Sequence, residues 1–159
     1  MSTAARTFVR TGPGAAAGVT ETMIQDLVHA FYARVRLDPA LGPIFNRVIG
    51  DNWDDHLAKL CDFWSSVLLM TGRFKGAPMA AHARLADVQP AHFVRWLQLF
   101  RQTALERCPP AAGALFVAKS EMIAQSLQLG IAVSRGEFPP LRPGPADQGP
   151  APRDLRRDD

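Results

Sequence analysis

Helix breakers partition this chain more firmly than any other feature of its sequence. Asp38-Pro39, Thr71-Gly72, Pro90 and Cys108-Pro109-Pro110 separate four stretches whose apolar residues recur at intervals of three and four. Proline lacks a backbone N–H, and the residue before it is driven out of the α region, whereas glycine readily takes the left-handed turn that ends a helix. No stretch shows the signals of a strand, so an all-α fold is predicted.

The first helix opens at Thr20 and Glu21, an N-cap and an acid suited to the positive end of the helix dipole, and should run to about Leu37. Ile24, Leu27, Val28, Phe31 and Val35 make its buried stripe, with Tyr32 at the edge. Pro39 to Phe45 reads as a tight connector with room for a single short turn. A second long helix is predicted from Trp53 to about Met70, capped by Asp51 or Asn52 and closed by Gly72. On it His56, Leu60, Phe63 and Val67 share one face, Trp64 lies at that face's edge, and Lys59 lies on the other side. A third helix begins near Pro90 and should turn Phe93, Trp96, Leu97 and Phe100 inward. The fourth, about Ala111 to Val133, should bury Leu115, Phe116, Ile123, Leu127 and Ile131.

The 159 residues are 47% hydrophobic and 21% charged, which suits one domain of roughly 115–120 residues with irregular ends. Residues 1–19 hold Arg6 and Arg10 but no apolar run of a secretory signal, and read as a flexible tail. The folded domain is expected over 20–136. Residues 137–159, rich in Pro, Arg and Asp, read as a disordered tail. The net charge of +3 is scattered among acids, so a nucleic-acid partner is not expected. Cys61 and Cys108 suggest neither a disulfide framework nor a zinc site, which makes a reducing cytoplasm the simplest location. No apolar run approaches the ~20 residues of a membrane helix, and a soluble protein without a membrane partner is expected.

Between the second and third helices, Gly76-Ala77-Pro78-Met79-Ala80-Ala81-His82 closes a turn of small and apolar residues with an imidazole. Taken alone, such a histidine is more often exposed or simply hydrogen-bonded. Taken alone, too, Tyr32 reads as a boundary aromatic with its hydroxyl in water, His56 as a polar residue starting a helix, and Trp96 as core. A plain four-helix bundle has no need of all three on or beside buried stripes. They imply a cavity with polar occupants.

Phe31-Tyr32, Asp38-Pro39 with Leu41-Gly42-Pro43-Ile44-Phe45, Trp53-Asp54-Asp55-His56, Phe63-Trp64, Gly76 to His82, and Trp96-Leu97-Gln98-Leu99-Phe100 follow one another in order. Together, from about Thr20 to Val133, they resemble the truncated haemoglobins, specifically group III. The resemblance implies a truncated globin fold, a two-over-two helical sandwich enclosing haem b (iron protoporphyrin IX). It implies His82 as the proximal iron ligand, Tyr32 as the distal tyrosine, His56 at the entrance side of the distal pocket, and Trp96 as the distal tryptophan, with Leu60 beside them. Contacts to the haem are expected from Phe45, Phe63, Trp64 and Met79. Lys59 is the candidate for a propionate, with Arg73 and Arg84 behind it.

Imidazole is a normal fifth ligand of haem iron, and donors on the opposite side decide the fate of a bound gas. Tyr32 can donate through its hydroxyl, and Trp96 can only donate. The function expected is reversible binding of dioxygen, and of nitric oxide and carbon monoxide, by a monomer, with oxygen transport among the roles. The alternative is a haem redox enzyme, a nitric oxide dioxygenase or peroxidase-like catalyst dependent on an external reductase. A third class, a haem-free helical interaction domain, would show no Soret band.

Overall fold

The computed structural model describes residues 12–77 and 87–137, which form six helices and no strand. They are α1 (Pro13–Ala16), α2 (Glu21–Leu37), α3 (Gly42–Ile49), α4 (Trp53–Leu69), α5 (Pro90–Arg107) and α6 (Pro110–Ser134). Among the described residues, no helix is long and apolar enough to cross a membrane.

Local chemistry sets most of the boundaries. Thr20 Oγ1 accepts the Met23 amide at 3.2 Å and so caps α2. α5 begins at Pro90, where His92 Nδ1 accepts the Gln89 amide at 2.9 Å in a reciprocal cap. Two boundaries differ from expectation. The connector after Pro39 holds an eight-residue helix, α3, because Pro43 falls in its first turn and costs no hydrogen bond there. Gly42 permits the approach, since a Cβ on it would lie 2.7 Å from the Arg36 carbonyl oxygen. At the end of α4 it is Met70, not Gly72, that caps the helix in the left-handed region, with φ 54°. That conformation costs a non-glycine residue roughly 1–2 kcal/mol.

α2 packs against α3, α4 and α5, and α5 packs in turn against α6. The core gathers Phe31, Phe100, Phe116, Ile24, Leu27, Val28, Val35 and Leu68, with Thr103 and Ser120 among them. Both hydroxyls are satisfied within their own helix, Thr103 donating to the Leu99 carbonyl and Ser120 to that of Val117, each at 2.7 Å. The buried face of α4 is Trp53, Leu57, Trp64, Ser65 and Leu68. The stripe His56, Leu60, Phe63 and Val67 is only half-buried. On α5 the full burial falls on Leu99, Phe100, Thr103 and Ala104, while Phe93, Trp96 and Leu97 are half-buried. On α6 Phe116, Leu127 and Ile131 are buried as predicted, whereas Leu115 and Ile123 are half-buried.

Residues 12–19, read from the sequence as the end of a tail, are packed instead. α1 lies on α4. A Cβ on Gly12 would meet the Leu68 carbonyl oxygen at 2.3 Å, and one on Gly14 would meet Leu68 Cβ at 2.9 Å, so only glycine allows this approach. Val19 is buried in the core beside them. The rest of the two expected tails, 1–11 and 138–159, lies outside the described residues.

Where α2 ends, Asp38 joins three elements. Its side chain is 4% exposed. Oδ2 accepts the amides of Ala40 at 3.1 Å and Leu41 at 3.0 Å, which starts the turn into α3. Oδ1 accepts Arg95 of α5 through Nε at 2.9 Å and through a terminal guanidinium nitrogen at 2.8 Å. The hydrogen bonds from Arg95, and then those from the two amides, hold this carboxyl below its ordinary range against the opposing pull of desolvation.

Two outcomes are expected. A chain beginning at Gly12 should match the full chain in urea unfolding, whereas one beginning at Thr20 should lose at least the burial of Val19, about 1.5–3 kcal/mol. Equal midpoints would show that α1 contributes nothing. For Asp38, a depressed native pKa means stability that is fully present above the unfolded value, about 3.9, and lost as pH falls through the native one. Between about pH 5 and pH 3 the full chain should therefore lose more stability than Asp38→Asn, read as the two slopes of urea midpoint against pH.

Candidate functional site

The polar groups singled out from the sequence converge on Tyr32. It projects from the middle of α2, one residue beyond the fully buried Phe31, and is itself 5% exposed. Its hydroxyl is therefore not the solvated edge that the spacing alone suggested. Phe31 packs edge-on against Tyr32 at 4.8 Å between ring centroids, Trp96 at 5.4 Å and Phe100 at 5.1 Å. This ring fixes the two donors relative to each other. Burial pushes the Tyr32 phenol up to about 12, and a hydrogen bond from the Trp96 indole holds part of that rise back.

His56, in the first turn of α4, stands edge-on to Tyr32 at 6.1 Å and is half-buried. Phe45 of α3 lies 5.9 Å from Tyr32 on another side. Trp53 completes the enclosure, 6.1 Å from Tyr32 and 5.9 Å from His56, with the Arg36 guanidinium 4.7 Å above its ring. The sequence reading assigned Trp53 no role of its own. The signal was present, because residues three apart on a helix share a face and Trp53 stands three before His56.

Leu60 and Phe63 continue the half-buried stripe of α4 from His56, and Phe74 stands edge-on to Phe63 at 5.3 Å. Two expected haem contacts sit elsewhere. Trp64 is 3% exposed, stacked on Phe100 at 5.3 Å and tilted against Phe116 at 5.5 Å, and has almost no surface left for another group. Arg73 is held by carboxylates, pairing with Glu21 and with Asp62, and donates to the buried Ser65 hydroxyl at 2.8 Å. Ser65 also reaches Glu21 and Thr71, and Ser66 Oγ accepts the Phe74 amide at 2.9 Å. Arg73 thus fastens the segment after α4. Lys59 is exposed on α4. Met79, His82 and Arg84 lie outside the described residues.

The other described histidines have different surroundings. His29 is exposed on α2, and His92 spends Nδ1 on the cap of α5. Among the described residues no group of three or more His, Cys, Asp or Glu side chains could hold a metal ion. Tyr32 and His56 are in direct ring contact and Trp96 is joined to Tyr32 through Phe31, so three side chains with hydrogen-bonding groups come together in an aromatic setting.

The family model of the bacterial-like globins matches residues 15–113. The group 3 truncated hemoglobin ctb of Campylobacter jejuni is 38% identical over 88 residues, covering 54% of this chain and 69% of that protein. The crystal structure of the group III truncated hemoglobin from Campylobacter jejuni aligns with a TM-score of 0.67 at 33% identity, covering 69% of this chain and 89% of that one.

Tyr32 is the only tyrosine of the chain, so its ionisation can be read directly from ultraviolet absorbance. A native value of about 12 against about 10 when unfolded favours the neutral phenol in the fold. That stability is complete below about pH 10 and is lost as pH rises toward the native value. The folded chain should show almost no tyrosinate near pH 10.5 or so, where a free phenol is mostly ionised. Substantial tyrosinate there, with helicity intact, would mean that Tyr32 is open to water.

Proposed function

The chain belongs to the bacterial-like globins and, within them, to the group III truncated haemoglobins, and on that premise we propose that it holds haem b and through it reversibly takes up dioxygen and related diatomic gases. The observation that carries this reading is the enclosed Tyr32, flanked by the indole of Trp96 and the imidazole of His56. Such a wall suits a small ligand that gains negative charge.

The residues fit a flat apolar group. Leu60, Phe63 and Val67 keep surface that the polypeptide does not cover, at the helical spacing that lines one side of a slot, and Phe45 is likewise half-covered. Haem, once bound through an imidazole, supplies a ferrous iron that passes electron density to dioxygen and much less to carbon monoxide. His82 is the imidazole proposed for that bond. The other three histidines support the choice: His29 is exposed, His92 is engaged in a helix cap, and His56 shares a side with Tyr32. Met79, Lys59 and Arg84 are retained as further contacts to the group.

The distal side chains divide the work. An indole can only donate, so the Trp96 N–H directed at the Tyr32 oxygen would leave the phenolic proton free to be donated onward. Burial keeps that proton on the oxygen well beyond neutral pH. Tyr32 is thus the proposed donor to the gas, and Trp96 steadies it.

Purified with adequate haem supply, the full chain should show a Soret band and a five-coordinate ferrous histidine spectrum. His82→Ala should abolish that spectrum or the haem content, while His29→Ala and His92→Ala leave both intact. Loss of iron ligation in His92→Ala alone would overturn the assignment. Tyr32→Phe should speed oxygen dissociation by roughly tenfold to more than a hundredfold, as expected for losing a charge-assisted bond of ~1.5–3 kcal/mol. Carbon monoxide dissociation should change much less, and equal acceleration of both in stopped flow would point to an opened pocket.

A further inference from the structure

α5 carries the charged side chains Arg95, Arg101, Glu106 and Arg107, and all but one are tied to α2 or its cap. Arg95 pairs with Asp38, Glu106 with Arg34, and Arg107 with Asp26. Arg101 is exposed and, among the described residues, forms no ion pair. The charges of α6 are Lys119 and Glu121, and Glu121 is likewise exposed without an ion pair among the described residues. Arg101 and Glu121 line one groove on the outer side of the α5–α6 pair, made of two adjoining hollows of about 230 and 260 Å³ that share both residues and Val117.

The rest of the groove is mostly apolar. Val94 and Leu105 stand at its two ends on α5, 56% and 51% exposed, and their spacing puts them on one face of that helix. α6 contributes Ala114 and Ala118, which are small enough for another helix to come close. The two helices run antiparallel, since Val94 falls at the Ser120 end of the groove and Leu105 at the Ala114 end, with Arg101 and Glu121 level at the middle. A two-fold axis through that midpoint lays α5 of one copy on α6 of the other. It brings Arg101 of each copy to Glu121 of the other, and Val94 and Leu97 of each onto the Ala114 to Ala118 stretch of the other. A partner of one charge sign would instead meet a like charge on one rim. The face is therefore self-complementary, as an isologous contact requires.

We propose that the outer face of α5 and α6 is a self-association surface on which two copies of this chain meet about a two-fold axis, with Arg101 and Glu121 paired reciprocally. The monomer expected from the sequence is then the dilute form. From Val94 to Leu105 the stripe is roughly 16 Å long, so two helices side by side offer a few hundred Å² per copy, short of the ~800 Å² per partner of a stable complex. The dimer is accordingly weak and exchanges with the monomer. Trp96 lies roughly opposite the Val94 to Leu105 line on α5, so the contact does not use Tyr32 or its rings, and it is independent of what they bind.

Sedimentation velocity of the full-length protein decides it. The apparent mass should climb from one chain toward two as concentration rises, and high salt should weaken the association by screening the exposed pairs. Arg101→Glu and Glu121→Arg each set like charges opposite one another twice over, and each should weaken self-association at least about tenfold. Mixed in equal amounts, these two variants should associate again, because every reversed charge then faces its opposite. Lys75→Glu, a reversal of the same size away from α5 and α6, should leave association intact. Ala118→Gln fills the groove without changing charge, so it should also weaken association, and it stands in if a reversal does not fold. A single-chain mass at every concentration would overturn the proposal. So would association that the reversals or Ala118→Gln leave unchanged, equal weakening by Lys75→Glu, or a mixture of the two reversals that stays monomeric.

Discussion

Phe31 is the contact on which the rest of the molecule depends. Its ring has no exposed surface and meets Tyr32, Trp96 and Phe100 edge-on, so the crossing of α2 over α5 is locked by aromatic geometry as well as by buried area. A domain this small has enough apolar surface for one core only. By packing on α3, α4 and α5 at once, α2 makes that single core serve several helices, and whatever shifts α2 shifts Tyr32 and its neighbouring rings with it.

Burial and function divide each helix by face. α4 gives Leu57, Trp64 and Leu68 to the core and leaves Leu60, Phe63 and Val67 half-covered. Both faces are apolar, yet only one is needed to hold the protein together. The buried hydroxyls divide in the same way: Ser120 bonds only within its own helix, whereas Thr103 donates to the Leu99 carbonyl and also accepts Arg34 of α2 at 3.0 Å. Ser65, joined to Glu21, Thr71 and Arg73, ties the start of α2 to the chain that leaves α4.

The helix ends were the most legible part of the sequence, since Thr20, Asp38-Pro39, Pro90 and the pair Pro109-Pro110 act through local sterics and local hydrogen bonds. α3 escaped notice because eight residues are too few to establish a period. Met70 took the left-handed cap against its own preference, which no propensity would indicate. On α4, periodicity reports that a face avoids water and not what covers it, so the shared face of His56, Leu60, Phe63 and Val67 was legible, while the packing of Trp53, Leu57, Trp64 and Leu68 into the core was not. Likewise Asp38 read as a helix stop and nothing more, because its partner lies 57 residues away. The pairing of Arg73 with Glu21 and Asp62 was hidden in the same way, because Glu21 lies 52 residues away in the chain.

The aromatic assembly also has an optical consequence. Trp53 borders Tyr32, while Trp96 and Trp64 both stack on Phe100, each with an interplanar angle of 14°. No indole of the chain lies outside this assembly. Intrinsic tryptophan fluorescence, which in most proteins averages over scattered and unrelated chromophores, here arises from one connected group of rings centred on Phe31, Tyr32 and Phe100. The molecule thus carries its own spectroscopic reporter of that group.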